Sequence, residues 1–124
     1  MKCPKCKAPM QAVTFAGIEV DRCTGCGGLW FDGGEERRLK VIKGSESIDT
    51  GDPAIGRKNN DMRGVQCPRC TTPLVRMVDR EQPHIWFESC SACGGVYFDA
   101  GEFRDYKEHT IADFFRDLFA KERT

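Results

Sequence analysis

The sequence predicts a small α+β fold stabilised by metal, and two observations carry that prediction. All eight cysteines lie in Cys-x-x-Cys pairs, and the four pairs form two sets of similar spacing. Pairs of thiolates separated by roughly 15 to 20 residues are typical of tetrahedral four-cysteine zinc sites, because each short turn presents two sulfurs to one ion. We therefore expect two tandem zinc ribbons that bind two zinc ions, with ligands Cys3, Cys6, Cys23 and Cys26, and Cys67, Cys70, Cys90 and Cys93.

The second observation is an internal repeat. Cys3 and Cys6 recur 64 positions later, whereas Cys23 and Cys26 recur 67 positions later, so the second unit has three extra residues between its pairs. The match continues beyond the cysteines, where CGGLWFDGGEERRL aligns with CGGVYFDAGEFRDY. Such self-similarity indicates duplicated structural units. It divides the chain into a ribbon with its helix (1–44), a flexible linker (45–66), a second ribbon with the start of a helix (67–109) and a C-terminal amphipathic helix (110–124).

Short antiparallel strands are expected within each ribbon. Two extended runs precede the second cysteine pair and are joined by a Gly-containing turn at Ala16-Gly17. Three aromatic or aliphatic residues after that pair predict a third strand. The predicted strands are Met10 to Phe15, Ile18 to Arg22 and Leu29 to Phe31, and then Leu74 to Val78, Ile85 to Ser89 and Val96 to Phe98.

A helix is expected after each ribbon. Asp32 with Glu35, and Asp99 with Glu102, have the spacing of an N-cap and the third helical residue, so they could satisfy free backbone amides. The first helix should end near Lys43, with Gly44 as the stop.

Other uses of the cysteines fit less well. Disulfides suit secreted chains, but the sequence opens with MKCPKC and no apolar signal segment. A thioredoxin-like redox site needs one such pair entering a helix, not four. Units of this size cannot bury a core large enough to fold alone, which favours metal. Four thiolates accept iron as well as zinc, so both metals remain possible.

Catalysis is not expected. The acidic pairs Asp32/Glu35 and Asp99/Glu102 could act as acid and base, but the repeats share no nucleophile to work with them. His84 and His109 have no counterpart in the other unit and are expected at the surface. Complete four-cysteine sets leave no open zinc position for an activated water.

The charge distribution bears on nucleic-acid binding. Residues 1–66 contain 11 Lys/Arg against 9 Asp/Glu, and the whole chain has a net charge of zero. A protein that binds many phosphates should carry a basic face, and the chain as a whole does not. A local basic patch on the first ribbon with a stacking aromatic remains an alternative, and the candidate contact residues are Lys5, Arg22, Trp30, Arg37, Arg38 and, in the second ribbon, Trp86.

The C-terminal segment has no counterpart in the first unit. Aromatic and aliphatic residues recur there at helical spacing, which predicts an amphipathic helix. Its apolar stripe could cover the second ribbon, mediate self-association or dock on a protein partner. The candidate contact residues are Phe114, Phe115, Leu118 and Phe119.

The motifs CPKC with CTGCGGLWFDGGE, and CPRC with CSACGGVYFDAGE, resemble the small prokaryotic zinc-ribbon proteins of the transcription factor IIB-type zinc-finger family. The resemblance covers both ribbons but neither the linker nor the last helix. It implies the two four-cysteine zinc sites given above. The cyclin-like core of the transcription factor is absent, so promoter recruitment of a polymerase is not implied.

Taken together, these features predict a non-enzymatic, cytoplasmic tandem zinc-ribbon binding module. The leading hypothesis is a protein-protein adaptor, linked to transcription or translation, with the ribbons as rigid platforms and the last helix as an apolar anchor. The alternative is direct nucleic-acid binding through the basic first ribbon. No membrane interaction is expected.

Overall fold

The computed structural model describes residues 1–107. The expected C-terminal helix over 110–124 therefore lies outside the described residues, together with Phe114, Phe115, Leu118 and Phe119. Within the described part of the chain, no helix is long and apolar enough to cross a membrane.

Each ribbon contains three short antiparallel strands, as the sequence predicts. Every predicted strand lies within one residue of the observed bounds. In the first ribbon, Ala16 and Gly17 both have positive φ angles, of 53° and 78°, which allow a tight two-residue hairpin. The strands are β1 (Met10–Phe15), β2 (Ile18–Cys23), β3 (Leu29–Phe31), β4 (Val75–Val78), β5 (Trp86–Ser89) and β6 (Val96–Phe98).

The two ribbons share one six-stranded sheet. Strand β3 pairs with β6 in antiparallel register, so that Leu29 lies opposite Phe98 and Trp30 lies opposite Tyr97. The resulting strand order is β1-β2-β3-β6-β5-β4. Because β3 and β6 are equivalent strands of the repeat, the two ribbons are related by an approximate two-fold axis that passes between them.

An apolar core covers one face of this sheet. Phe31 from β3 and Phe98 from β6 meet edge to face, with 5.6 Å between ring centroids, and both rings contact Phe103. Leu39, from the helix after the first ribbon, and Tyr106, from the helical residues after the second ribbon, complete the layer that covers the sheet. One core therefore serves both ribbons, which gives each more buried surface than its own residues provide.

The helices begin differently from the prediction. Helix α1 (Glu35–Lys40) has Gly34 at its N-cap, with φ of 84° and no side-chain cap. The predicted cap at Asp32 is wrong, because only its backbone carbonyl accepts the Glu35 amide while its carboxylate points elsewhere. The second ribbon is followed by helical residues 102–107. Helix α1 also ends before Lys43, and Gly44 precedes a 3₁₀ helix.

The segment 45–66, predicted as a flexible linker, contains two helices. They are a 3₁₀ helix (Ser45–Ile48) and α2 (Pro53–Asn59), the latter capped by the Asp52 side chain. The Asp49 carboxylate is buried and accepts the amides of Gly101 and Arg104 from the second ribbon. The linker prediction is wrong because it is based on the polar composition of the segment, whereas a few of its side chains pack against both ribbons.

Candidate metal centres

The first cysteine set is assembled from two turns at one end of the first ribbon. Cys3 and Cys6 lie before β1, Cys23 is the last residue of β2, and Cys26 lies in the turn that follows. Their four sulfurs lie within 4.8 Å of one another. The Cys3 and Cys26 sulfurs are 3.7 Å apart, and those of Cys6 and Cys23 are 3.2 Å apart.

The second set repeats this arrangement in the second ribbon. Its four sulfurs also lie within 4.8 Å of one another. The sulfurs of Cys67 and Cys93 are 3.8 Å apart, and those of Cys70 and Cys90 are 3.3 Å apart. All eight cysteines are free, with no disulfide among them.

The donor sets fit tetrahedral zinc. Zinc–sulfur bonds of about 2.3 Å in a tetrahedron place the sulfurs about 3.8 Å apart, close to the observed distances. Backbone amides point at the sulfurs, with Lys5 N 3.4 Å from Cys3 and Gly25 N 3.3 Å from Cys23. Amides in this position stabilise thiolates, which are the metal-binding form of cysteine. When bound, zinc supplies cross-links that hold the turns together.

The protonation of the thiols differs within the second set. Burial raises the pKa of the Cys67 thiol to about 12, whereas a hydrogen bond with Thr72 lowers the pKa of Cys70 to about 6. Metal binding must displace the proton of a buried thiol such as Cys67. Occupancy should therefore fall as the pH falls.

Tyr97 extends from the second ribbon into the first cysteine set. Its hydroxyl lies 3.3 Å from the Cys3 sulfur and 3.4 Å from the Cys26 sulfur. Gly28 makes room for the ring, because a Cβ at that position would lie 1.8 Å from the Tyr97 oxygen. Burial raises the pKa of Tyr97, so the hydroxyl stays protonated and can donate a hydrogen bond to a thiolate.

Trp30 makes the reciprocal crossing from the first ribbon. Its ring lies against Gly95, where a Cβ would be 2.1 Å from the Trp30 Cζ2 atom. Its indole nitrogen donates to Asp32 at 3.2 Å, within its own ribbon. Trp30 is fully buried, so the prediction that it could stack a base is wrong. A three-residue strand shows no periodicity from which the β3–β6 contact could have been foreseen.

Ion pairs between the ribbons follow the same two-fold relation. Lys5, inside the first Cys-x-x-Cys, contacts Glu88 at 2.6 Å and Asp99 at 2.7 Å in the second ribbon. The equivalent Arg69 donates to Asp32 at 2.8 Å and approaches Asp21 at 3.4 Å in the first ribbon. Each Asp that follows a third strand therefore binds the opposite ribbon.

The two ion pairs differ in burial. The Lys5 side chain is fully buried, and Glu88 and Asp99 are nearly so, whereas Arg69 and Asp32 are both partly exposed. Burial raises the pKa values of Glu88 and Asp99, and the Lys5 ammonium opposes that rise. Lys5 is thus a structural cation, and its prediction as a surface contact is wrong.

The comparison with protein families agrees with this geometry. The model of the transcription factor zinc-finger family, of the transcription factor IIB type, matches residues 2–41 and again residues 66–109, more than half of the chain. The chain belongs to the transcription factor zinc-finger family. Each match to the family covers one ribbon together with helical residues that follow it, which confirms the predicted tandem copies and two zinc sites. Searches among curated proteins and among solved structures found no match.

The remaining candidate contact residues are scattered. Arg37 and Arg38 on α1 are exposed. Arg22 donates to the Ile48 carbonyl at 3.1 Å, which fixes it against the 3₁₀ helix. Trp86 is half-buried, with the Arg76 guanidinium 4.4 Å from its ring centroid, so one ring face is already covered.

An apolar surface on the second ribbon was not singled out from the sequence. Val75, Met77 and Val78 of edge strand β4 are 50%, 43% and 37% exposed. Met77 lines a groove with Phe87 and Tyr106. The alternation of β4 could have indicated an exposed apolar edge, but its lack of cover depends on the tertiary structure.

The equivalent place on the first ribbon is covered. By the repeat, Met77 corresponds to Val13, which packs against the core together with Phe15 and Ile42. The 3₁₀ helix contacts β1 there and buries Ile48. Within residues 1–107, no such segment covers Met77, which leaves the groove open in the described part of the chain.

Proposed function

We propose that this chain is a non-enzymatic binding module that acts as a protein-protein adaptor, and that β4 is its docking edge. The exposed apolar side chains of β4, beside the groove at Met77, carry the proposal. An edge strand offers unpaired backbone amides and carbonyls, to which an extended segment of a partner can add as a further strand. Alternate side chains of that segment would enter the groove.

The other edge of the sheet provides a contrast. Strand β1 exposes Gln11, Ala12 and Thr14, which offer little apolar surface. An exposed apolar patch on a small soluble domain usually marks an interaction site. The difference favours β4 over β1 as the partner-binding edge.

Several observations weigh against the alternative, direct binding of nucleic acid. Lys5 and Trp30 are buried, and Arg22 donates to the Ile48 carbonyl. The phosphate-contacting surface of the first ribbon is thereby reduced to exposed residues such as Arg37 and Arg38.

A non-enzymatic role is supported by the use of the acidic residues. Asp32 and Asp99, the candidates for acid–base catalysis, each form an ion pair with a cation of the opposite ribbon. A cytoplasmic location suits eight free thiols, because that compartment keeps cysteines reduced. A link to transcription or translation rests on the family alone.

A photo-crosslinking amino acid placed at Met77 of the full zinc-loaded chain would test the docking edge. Ile55 on α2 is the matched control, since it is 42% exposed against 43% for Met77. We expect a crosslink to a protein from Met77 and none from Ile55. The purified partner should then bind the Met77→Glu variant at least about tenfold more weakly than wild type, because the new carboxylate would lose its hydration where the partner covers β4. Ile55→Glu should bind normally.

Three results would contradict the proposal. Equal binding of the partner to Met77→Glu and wild type would exclude β4 as the docking edge. Crosslinks only to residues of the chain's own C-terminal segment, or to a second copy, would show that the groove serves the chain itself. Anisotropy measurements with labelled DNA and RNA provide the third, since micromolar binding that weakens steeply with salt would favour the nucleic-acid alternative.

A further inference from the structure

The two zinc sites are unequally shielded from solvent. In the first site Cys3, Cys23 and Cys26 are buried and Cys6 is exposed. In the second site both Cys70 and Cys93 are exposed. A chelator or an electrophile therefore meets two accessible sulfurs at the second site and one at the first.

The hydrogen bonds to the sulfurs are also unequal. Tyr97 places a buried hydroxyl 3.3 Å and 3.4 Å from two sulfurs of the first site. The residue at the equivalent position of the repeat is Trp30, whose N–H donates to Asp32 instead. The second site has Thr72 Oγ1, 3.4 Å from the Cys70 sulfur, but that sulfur is exposed.

A buried hydroxyl at a metal-bound thiolate has two effects. It withdraws electron density from the sulfur and so lowers its nucleophilicity, and it fixes the orientation of the ligand. Because Tyr97 belongs to β6, which is paired with β3, the sheet holds this donor in place.

We propose that the second zinc site is the exchangeable and thiol-reactive one, and that Tyr97 is a positioning residue that retains zinc in the first. With an alkyl iodide, the thiolate sulfur of Cys70 or Cys93 attacks the carbon that carries iodine. A carbon–sulfur bond forms, the carbon–iodine bond breaks and iodide leaves. The thioether product is a poor zinc ligand, so the ion passes to a chelator in solution.

The order of reaction can be measured on the full chain carrying two zinc ions. Limiting iodoacetamide is added with a coloured zinc chelator, and the labelled peptides are identified by mass spectrometry. We expect Cys70 and Cys93 to be labelled first, with release of one zinc ion per chain before Cys3 or Cys26 reacts. Simultaneous release of both ions, or earlier labelling of the first site, would overturn the proposal.

The role of Tyr97 requires a separate variant. Tyr97→Phe removes the hydroxyl and keeps the ring, so we expect zinc release from the first site to accelerate about tenfold, the lower end of the effect of outer-shell partners. Release from the second site should not change. Trp30→Phe is the control at the equivalent position, since it alters a buried aromatic ring that donates to no sulfur.

Cobalt substitution distinguishes an effect on the sulfurs from general loosening. A hydrogen bond lowers the energy of the thiolate donor orbital, so its loss in Tyr97→Phe should move the sulfur-to-cobalt charge-transfer band of the first site to lower energy. Trp30→Phe should leave that band in place. An unchanged band and unchanged release in Tyr97→Phe would overturn the assignment of Tyr97, and a shifted band in both variants would do the same.

Discussion

Lys5 and Arg69 occupy equivalent positions of the repeat but differ in their surroundings. The Lys5 side chain is fully buried between two carboxylates, while the Arg69 side chain is 45% exposed. A buried ion pair adds little net stability over an apolar replacement, yet removing one partner leaves an uncompensated charge. An exposed pair contributes at most about 1 kcal/mol. Mutation of Lys5 and mutation of Arg69 should therefore change the free energy of unfolding by very different amounts.

We expect Lys5→Met to lower the free energy of unfolding by about 3 to 5 kcal/mol, because Glu88 and Asp99 would remain buried without their cation. Arg69→Met is the matched control and should cost no more than about 1 kcal/mol. Urea denaturation of both zinc-loaded variants at neutral pH measures the difference. Equal losses would show that the burial of the Lys5 pair does not govern its strength.

Glu102 gives a pH dependence of defined sign. Burial, and then the charges of Asp99, Asp105 and Glu88, raise its pKa from 4.5 to about 7, while Lys5 opposes the rise. When a carboxyl has a higher pKa in the folded state, the folded protein loses stability as the pH rises, because the carboxyl ionises at lower pH in the unfolded chain. The loss begins above 4.5 and is complete above about 7.

The Glu102→Gln variant removes this titration. Between pH 6 and pH 8, wild type should lose about 1 kcal/mol of stability relative to the variant, after allowance for solvent screening at a partly exposed group. Urea unfolding of both zinc-loaded proteins at the two pH values gives the difference, in which the common titration of the zinc thiolates cancels. A difference that is constant with pH would contradict the shifted pKa.

Helix α2 packs closely on the backbone of the second ribbon. A Cβ at Gly56 would lie 2.0 Å from the Ala100 carbonyl oxygen, so α2 packs directly on the turn after β6. In an open helix, alanine would be favoured over glycine by about 1 kcal/mol. Here the contact reverses that preference, because an added methyl group would force the backbone of α2 or of Ala100 to move.

Gly56→Ala should therefore detach α2 from the second ribbon. Arg57 and Lys58 are exposed on this helix and are trypsin sites once it unfolds locally. We expect cleavage after them to be at least about tenfold faster than in wild type, which corresponds to a loss of about 1.4 kcal/mol in local stability. Ile55→Ala, at an exposed position of the same helix, should be cleaved at the wild-type rate.

The strands and zinc ligands could be predicted from the sequence because their signals are local. Cysteine spacing identifies the ligands, and short apolar runs between turn residues locate β1 and β2. The helix start at Asp32 was predicted wrongly for a related reason. A local capping pattern cannot reveal that Arg69, 37 residues away, binds the same carboxylate.

The joining of the ribbons lies beyond local signals. Strand β3 has three residues, all buried, and its sequence gives no signal for which strand it pairs with. The burial of Trp30 and Tyr97 follows from that pairing, and Lys5 is also enclosed by α2, where it donates to the Asn59 carbonyl. The helices of segment 45–66 are likewise stabilised by contacts such as Asp49 with Gly101, which become visible only when both ribbons are assembled.

The six-stranded sheet makes one folding unit of the two ribbons. The β3–β6 pairing, the shared aromatic core and the two ion pairs between ribbons all cross the same boundary. These contacts do not require the chain to be continuous between the ribbons. Residues 61–64 are exposed and offer a place to cut it.

A chain cut by a specific protease at a site inserted within residues 61–64 should stay assembled. We expect both fragments to elute together from a sizing column with the mass of the intact protein. Combining the cut with Lys5→Met and Arg69→Met should release them at low protein concentration, since both ion pairs at the boundary are lost. Separation of the fragments without those substitutions would contradict the single folding unit.

The approximate two-fold axis between β3 and β6 has an evolutionary consequence. A homodimer of single-ribbon chains must carry the same residue at both symmetry-related positions, because one gene encodes both. A covalent tandem is free of that constraint. Here Lys5 of the first ribbon corresponds to Arg69 of the second, and Trp30 corresponds to Tyr97, so the duplicated halves have diverged in sequence while the β3–β6 pairing still joins them.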